Sequence, residues 1–273
     1  MPVLVTAADR PLAHRLVTRL LDEGGEVRAY ATSAQLANLR AAGAVVATGA
    51  LDDEGRLEAA MTDVHTVVHV GGGLFSRDAT VLVDAARVVA TAAANAGVRR
   101  IITLSLPGAD PAAAEPLRRA KGEAERLFAA VAPVSIVIRT SLVDTSAVRD
   151  ALATAGSVDG VPFVPVAPVQ VGDVLEVVVA FDRARSEASR GHLVVAADGP
   201  ERMPIEEYLR RVGLAPPGHG SMVGRRLYDP KRQPLLVPAL CGGPWWSDGD
   251  DVIDGWKFAG ITPCPPTLQG PSA

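Results

Sequence analysis

The chain has 273 residues, with 27 lysines and arginines against 31 aspartates and glutamates, so its formal net charge is −4 at pH 7. This length is enough for one large α/β domain or for a core domain with a small lobe, and the acidic balance argues against a nucleic-acid partner. No apolar run approaches the roughly 18 residues of a membrane span, and no charged leader precedes the first predicted strand. We therefore expect a cytoplasmic protein without a membrane partner. The 2 cysteines lack a partner set for zinc, so we expect no metal.

The first half of the chain alternates short apolar runs with segments of helical periodicity. The apolar runs predict strands over 3–5, 27–30, 44–48, 66–70, 101–105 and 134–138. The periodic segments predict a first helix with leucines on one face and later helices over 54–61, 79–96 and 116–130. Strands that alternate with helices form a parallel sheet with helices on both faces, so the sequence predicts a Rossmann-like, doubly wound α/β fold.

The alternation loosens beyond the sixth predicted strand. A strand over 192–196 and a helix over 204–212 are still predicted, but prolines and glycines cluster from Gly213 onward. Three tryptophans that would be costly to leave exposed stand in this last part of the chain, Trp245, Trp246 and Trp256. We therefore predict two domains, a Rossmann-like domain over 1–145 and a C-terminal substrate lobe over 146–273 that packs on it.

The turn between the first strand and the first helix reads T-A-A-D-R-P-L-A and contains no glycine. It resembles the T-G-x-x-G-x-x-G fingerprint of the extended and atypical short-chain dehydrogenase/reductases, including their NmrA-like branch, in which glycines let the backbone approach a pyrophosphate. Aligned on Thr6, the glycine positions hold Ala7, Arg10 and Ala13. Alanine is accepted at the third position, and at the first position it is tolerable if its φ angle is negative. Arg10 is the serious departure, because its side chain either blocks a dinucleotide or replaces the backbone amides with a guanidinium group.

The resemblance places further cofactor contacts on positions that have also changed. Thr32 stands where NADP-preferring relatives often carry an arginine, and no acidic residue stands there for a ribose hydroxyl. Ala50 replaces an aspartate that helps to hold adenine in the family. Asp9 and His14 lie near the altered turn. One interpretation is that they form an acid/base pair in the vacated phosphate site, and the other is that Asp9 is an N-terminal helix cap.

A run of three glycines, 71–73, follows the fourth strand and predicts an open surface without Cβ atoms beside the pocket. From the changed positions we expect that the protein uses no cofactor. The alternative is NAD(P), bound by residues of the turn, the end of the second strand and the glycine run, namely Ala7, Asp9, Arg10, Thr32, Gly71 and Gly72.

The catalytic positions of the family have changed in the same way. The resemblance implies a Y-x-x-x-K motif, in which the tyrosine is the general acid/base and the lysine lowers its pKa. Here Leu117 replaces the tyrosine, while Lys121 remains and Ser105 closes the fifth strand. Asp144 follows the sixth strand, where the family's loop borders the substrate. Ser105, Lys121 and Asp144 are therefore the candidate catalytic residues. The ordinary alternative for Ser105 is a small residue that closes a strand, and for Lys121 it is an exposed lysine on a helix.

Three functions of different classes remain. The first is a pseudo-reductase of secondary metabolism, whose emptied cleft takes a small apolar metabolite and promotes cyclisation, isomerisation, dehydration or coupling without redox chemistry. The second is an NAD(P)-dependent oxidoreductase or epimerase in which Arg10 holds the pyrophosphate. The third is a non-catalytic, NmrA-like ligand sensor. The first ranks highest, because cofactor and catalytic positions have changed while the apolar core pattern has not; a homodimer is compatible with all three.

Overall fold

The computed structural model describes residues 1–32, 36–71, 76, 78–155, 165–184, 191–214, 246–247 and 252–264. The strands of these parts are β1 (Val3–Thr6), β2 (Val27–Ala31), β3 (Val45–Thr48), β4 (Thr66–His69), β5 (Arg100–Ser105), β6 (Val134–Arg139), β7 (Val143–Asp144), β8 (Val169–Gln170), β9 (Gly191–Ala196) and β10 (Ile253–Asp254). The helices are α1 (Pro11–Asp22), α2 (Ala37–Ala41), α3 (Glu54–Met61), α4 (Ala79–Asn95), α5 (Pro116–Val131), α6 (Ser146–Ala155), α7 (Val171–Arg183), α8 (Ile205–Arg211) and α9 (Gly255–Ala259).

Eight strands form one sheet in the order β10-β9-β6-β5-β4-β1-β2-β3, and its ladders are parallel. The chain runs outward from β1 to β3 and then returns to place β4 against the other side of β1. At such a change of direction the loops diverge and leave a crevice at the carboxyl ends of the strands. The Rossmann-like α/β fold predicted from the sequence is confirmed.

The central strand β1 is buried on both faces, because its side chains alternate between two apolar clusters. Val3 and Val5 pack in the cluster that α1 and α7 cover. Leu4 packs in the cluster that α3, α4 and α5 cover. The uninterrupted apolar runs of the sequence therefore belong to a sheet with helices on both sides, as parallel strands require.

The main sheet continues beyond residue 145. β9 pairs with β6 along the whole length of both strands, and β10 adds to β9. A third apolar cluster joins Leu117 of α5 to Tyr208 of α8. The division into domains at residue 145 stays a prediction. Strands β9 and β10 follow that position in the chain and belong to the same sheet as β1.

Two of the three tryptophans fall among the described residues. The half-buried Trp256 of α9 packs against the apolar cluster that α1 and α7 cover, and its indole N–H donates to the backbone oxygen of Asp198 at 2.9 Å. The Trp246 ring lies 4.4 Å from the Arg202 guanidinium, within the range of a cation–π contact. Trp245 lies outside the described residues. None of the described helices is long and apolar enough to cross a membrane.

Candidate functional site

The turn after β1 has a glycine-like backbone although it contains no glycine. Ala7 has a φ angle of 52°, so the negative φ under which an alanine would be tolerated at this position is not what the structure shows. The left-handed region costs an alanine about 1 to 2 kcal/mol. The amide of Ala8 donates to the Tyr30 carbonyl at 3.1 Å, and the amide of Arg10 donates to the Ala7 carbonyl at 2.9 Å. These bonds hold the turn beside β2 in the conformation that the first glycine of the fingerprint would supply.

α1 begins directly after Arg10. The Arg10 backbone is extended, its side chain is exposed and does not cap the helix, and Pro11 occupies the first helical position. Asp9 is therefore not the helix cap, which corrects one of its two interpretations. No hydrogen bond joins Asp9 to His14 in the described part of the chain, which corrects the other. Ala13 is fully buried and lets α1 pack on the sheet, and no side chain caps the amides at the start of this helix.

Asp9 lies instead beside the end of β2. Its Oδ2 atom is 3.5 Å from Oγ1 of Thr32, the residue that follows β2. Asp9 is half-buried and Thr32 is exposed. The structure therefore brings together Ala7, Asp9, Arg10 and Thr32, which the sequence proposes as cofactor residues.

Gly71 does not provide the predicted open surface. A Cβ atom at Gly71 would lie 2.3 Å from Cε1 of His69, so the missing side chain leaves room for the imidazole ring. Nδ1 of His69 is 2.9 Å from Oγ1 of Thr6, and burial together with the charge of Lys121 lowers the pKa of His69 to about 3. His69 is thus a neutral, structural residue. Gly72 and Gly73 lie outside the described residues.

Ser105 and Lys121 meet at one small cavity at the carboxyl end of β5. Lys121 is buried, and its Nζ atom donates to the Leu104 carbonyl at 3.0 Å and to the Gly71 carbonyl at 3.4 Å. It is therefore not the exposed helical lysine of the ordinary interpretation. The cavity offers a volume of about 10 Å³ to the centre of a water molecule, which is room for roughly one water.

Burial lowers the pKa of Lys121 to about 8, and the nearby Glu125 carboxylate acts in the opposite direction. An ammonium group that is removed from water loses its proton more readily, because a charged group is poorly solvated there. Lys121 can therefore exchange a proton near neutral pH, which an exposed lysine does far less readily.

Glu125 is the site residue that sequence reasoning missed. Ser105 Oγ donates to Glu125 Oε1 at 2.5 Å, and Arg139 binds the same carboxylate through Nε at 3.2 Å and Nη2 at 2.7 Å. Glu125 is buried, as is Lys121, which lies one helical turn earlier on α5. The i, i+4 spacing places both residues on one helix face. This spacing is the feature of the sequence that could indicate Glu125 as a site residue.

Leu117, which replaces the family's tyrosine, does not line the cavity. Its side chain is fully buried in the apolar cluster with Leu106 and Tyr208. No proton donor therefore reaches the cavity from this position, and Lys121 is the ionisable donor on that face of α5.

Asp144 is not brought together with Ser105 and Lys121. Its two carboxylate oxygens accept from Nε and Nη2 of Arg149 at 2.7 and 2.6 Å, and Oδ1 also accepts from the Tyr208 hydroxyl at 2.5 Å. Burial and the Asp144 charge raise the pKa of Tyr208. The carboxylate is committed to an ion pair that joins β7 to α6 and α8, so the structure gives Asp144 an anchoring contact rather than a place in the cavity.

The structure is similar to solved structures over nearly its whole length. A triphenylmethane reductase of Citrobacter sp., complexed with NADP(H), has a TM-score of 0.72 and 17% identity, covering 96% of this chain and 97% of that chain. The NADPH-dependent quinone oxidoreductase QOR2 of Escherichia coli, complexed with NADPH, has a TM-score of 0.71 and 19% identity, covering 96% of each chain. MoeE5, in complex with UDP-glucuronic acid and NAD, has a TM-score of 0.70 and 20% identity, covering 97% of this chain and 95% of that chain. At these identities the likeness shows the fold, and no curated protein sequence matches the chain.

A family of sequences described as NAD(P)H-binding matches residues 8–168, which is more than half of the chain. The expectation that the protein uses no cofactor is therefore wrong. That expectation assumes that the chain cannot bind a dinucleotide without the glycines of the turn. In the structure Ala7 adopts the conformation of glycine, and the Arg10 side chain is exposed. Together with the uncapped start of α1, these features fit a phosphate-bearing dinucleotide. The resemblance to short-chain dehydrogenase/reductases is confirmed, and the chain belongs to this NAD(P)H-binding family.

Proposed function

We propose that the protein is a cytoplasmic reductase that uses NAD(P)H to reduce a small apolar metabolite at the cavity of Ser105 and Lys121. The observation that carries the proposal is the buried Lys121 ammonium, which lines a space for about one oxygen atom in a chain of an NAD(P)H-binding family. Two of the similar structures are called a triphenylmethane reductase and a quinone oxidoreductase, and both names support a reduction.

The residues that would hold the cofactor lie in the turn after β1. The backbone from Ala7 onward and the free amides at the start of α1 would bind the phosphates, and the exposed Arg10 would add its guanidinium group. When bound, NAD(P)H supplies a hydride. The β1 and β5 carboxyl ends lie at the same edge of the sheet, so the phosphate turn and Ser105 border one crevice.

Lys121 is the proton donor of this proposal. An ammonium group has three N–H bonds, and two of them are directed to the Leu104 and Gly71 carbonyls. The third can donate to an oxygen atom in the cavity. Because its pKa is about 8, the group is largely protonated at neutral pH and releases its proton to a developing oxyanion at modest cost.

Ser105 does not donate the proton to the reacting oxygen. Glu125 is ion-paired with Arg139 and is therefore an acceptor, so the Ser105 hydroxyl hydrogen points to the carboxylate. The Ser105 oxygen is then left as an acceptor at the cavity wall. It can accept a hydrogen bond from the hydroxyl that the substrate oxygen becomes once Lys121 has protonated it.

The test begins with calorimetric titration of NADH and NADPH, followed by the loss of reduced nicotinamide absorbance with a quinone and a triphenylmethane dye as probe substrates. We expect binding of at least one nucleotide and consumption with at least one probe. Lys121→Met should lower the rate of quinone reduction by about 100-fold or more, as expected for a lost general acid. The rate of quinone reduction by the unchanged protein should fall as the pH rises through about 8, where Lys121 loses its proton.

Lys257→Met, at an exposed position of α9, is the matched control and should leave the rate unchanged. Failure to bind either nucleotide at millimolar concentration would contradict the proposal. Conversion of a probe without loss of reduced nicotinamide would support the non-redox chemistry that ranks first from the sequence. An active Lys121→Met variant with an unchanged pH profile would exclude Lys121 as the donor.

A further inference from the structure

We propose that Asp9 selects NAD(H) over NADP(H), taking the part that an acidic residue at the end of β2 plays in other dinucleotide-binding proteins. The proposal rests on the proposed function, because it concerns the cofactor of that reaction. It starts from an apparent defect of the sequence, in which Thr32 follows β2 where a Rossmann protein has an acid for the ribose hydroxyls of NAD or an arginine for the phosphate of NADP.

The acid that is missing from β2 is supplied by the neighbouring turn. β1 and β2 are paired in register from Val3↔Val27 to Thr6↔Tyr30, and the Ala8 amide donates to the Tyr30 carbonyl. The turn after β1 is therefore fixed against the end of β2. As a result, the Asp9 carboxylate lies 3.5 Å from the Thr32 hydroxyl, although the two residues are 23 positions apart.

A carboxylate at this place treats the two nucleotides differently. Carboxylate oxygens only accept hydrogen bonds, so Asp9 can accept from a ribose hydroxyl of NAD(H). In NADP(H) one of these hydroxyls carries a phosphate, which is negatively charged and offers no donor. At a distance of about 4 Å near a protein surface, such repulsion is large enough to change affinity by about tenfold or more.

The residues next to Thr32 in the chain supply no positive charge for a phosphate at the end of β2, and Arg56, which lies near this end through its contact with Thr48, is ion-paired with Asp53. The three residues that follow Thr32, at 33–35, are Ser-Ala-Gln and carry no charge. The next basic residue along the chain is Arg40, in the last turn of α2. Arg10 adjoins Asp9, but it directly precedes α1, where the pyrophosphate of a dinucleotide lies. Among the described residues, the charged side chain in contact with Thr32 is the Asp9 carboxylate.

The experiment measures the dissociation constants of NADH and NADPH by calorimetry for the unchanged protein and for Asp9→Asn. This substitution removes the charge and keeps the shape of the side chain. We expect the unchanged protein to bind NADH at least about tenfold more tightly than NADPH, and Asp9→Asn to reduce that ratio by about tenfold, chiefly through tighter NADPH binding. The effect should shrink as salt is added, because the carboxylate is partly exposed.

Asp22→Asn is the matched control, since Asp22 is an exposed aspartate at the far end of α1 and its loss changes the net charge equally. It should leave the ratio unchanged. A preference for NADPH, or a ratio that Asp9→Asn does not alter, would overturn this inference and leave the proposed function intact. Binding of neither nucleotide would overturn the proposed function and this inference with it.

Discussion

Ala7 is the residue at which the chain departs most clearly from local backbone preference. Its φ angle of 52° is one that glycine adopts freely and alanine does not. We predict that Ala7→Gly raises the free energy of unfolding by about 0.5 to 1 kcal/mol, because relief of strain outweighs the added entropy of the unfolded chain. Urea denaturation at constant temperature measures this change.

The control for Ala7→Gly is the same substitution at Ala13. Ala13 is buried in α1 with a helical backbone, so glycine there should destabilise the protein by about 1 kcal/mol. If both variants were destabilised equally, Ala7 would not be strained. The pair of variants separates the effect of the φ angle from the general effect of removing a methyl group.

Helix α5 carries the side chains that form the cavity wall, and its stability at that face depends on the ion pair of Glu125 with Arg139. We predict that Glu125→Gln lowers the free energy of unfolding by about 2 kcal/mol, because a largely buried guanidinium loses its charged partner. The half-exposed pair Arg126 and Glu123, on the outer face of the same helix, provides the comparison.

There Glu123→Gln should cost no more than about 0.5 kcal/mol, since an exposed ion pair contributes little. Both values come from thermal or urea unfolding, and a double variant of Glu125 and Arg139 should cost less than the sum of its parts. Equal losses at Glu123 and Glu125 would contradict the buried role of the Arg139 ion pair.

The sequence predicts elements better than it predicts contacts between them. The helix expected over 79–96 is α4 (Ala79–Asn95), because its apolar periodicity is a local property of the chain. The contact of Asp9 with Thr32 depends on the register between β1 and β2, which the spacing of residues does not contain. The φ angle of Ala7 likewise follows from bonds to β2, which override the local preference of alanine.

The sequence predicts only part of the site, because contacts between distant residues are not a local property of the chain. The sequence predicts Ser105 and Lys121 because each stands in a recognisable motif, Ser105 at the end of a strand and Lys121 on a helix. The sequence predicts Asp144 beside them because it follows a strand, whereas Arg149 and Tyr208 bind its carboxylate through an ion pair and a hydrogen bond. Whether a carboxylate is free or paired is decided by residues distant in the chain, and a single sequence does not specify those partners.

At the scale of the whole molecule, the chain up to residue 145 lacks parts of its own sheet and core. Without β9 the outer edge of β6 is unpaired, and without α7 the cluster that contains Val5 and Ile136 loses one of its helices. We predict that residues 1–145, expressed alone, show no cooperative thermal unfolding by circular dichroism, whereas the full chain does. A cooperative transition of this fragment would instead support a domain boundary at 145.

The position of β9 in the sheet also has a consequence for synthesis. β6 is complete at Arg139, but the strand that covers its outer edge is complete only at Ala196, 57 residues later (196 − 139). A ribosome adds about 5 to 20 residues per second, so β6 waits about 3 to 11 s for its partner. An unpaired strand edge is a template for pairing with another chain. The growing polypeptide, rather than the finished protein, is therefore the form most exposed to edge-to-edge association.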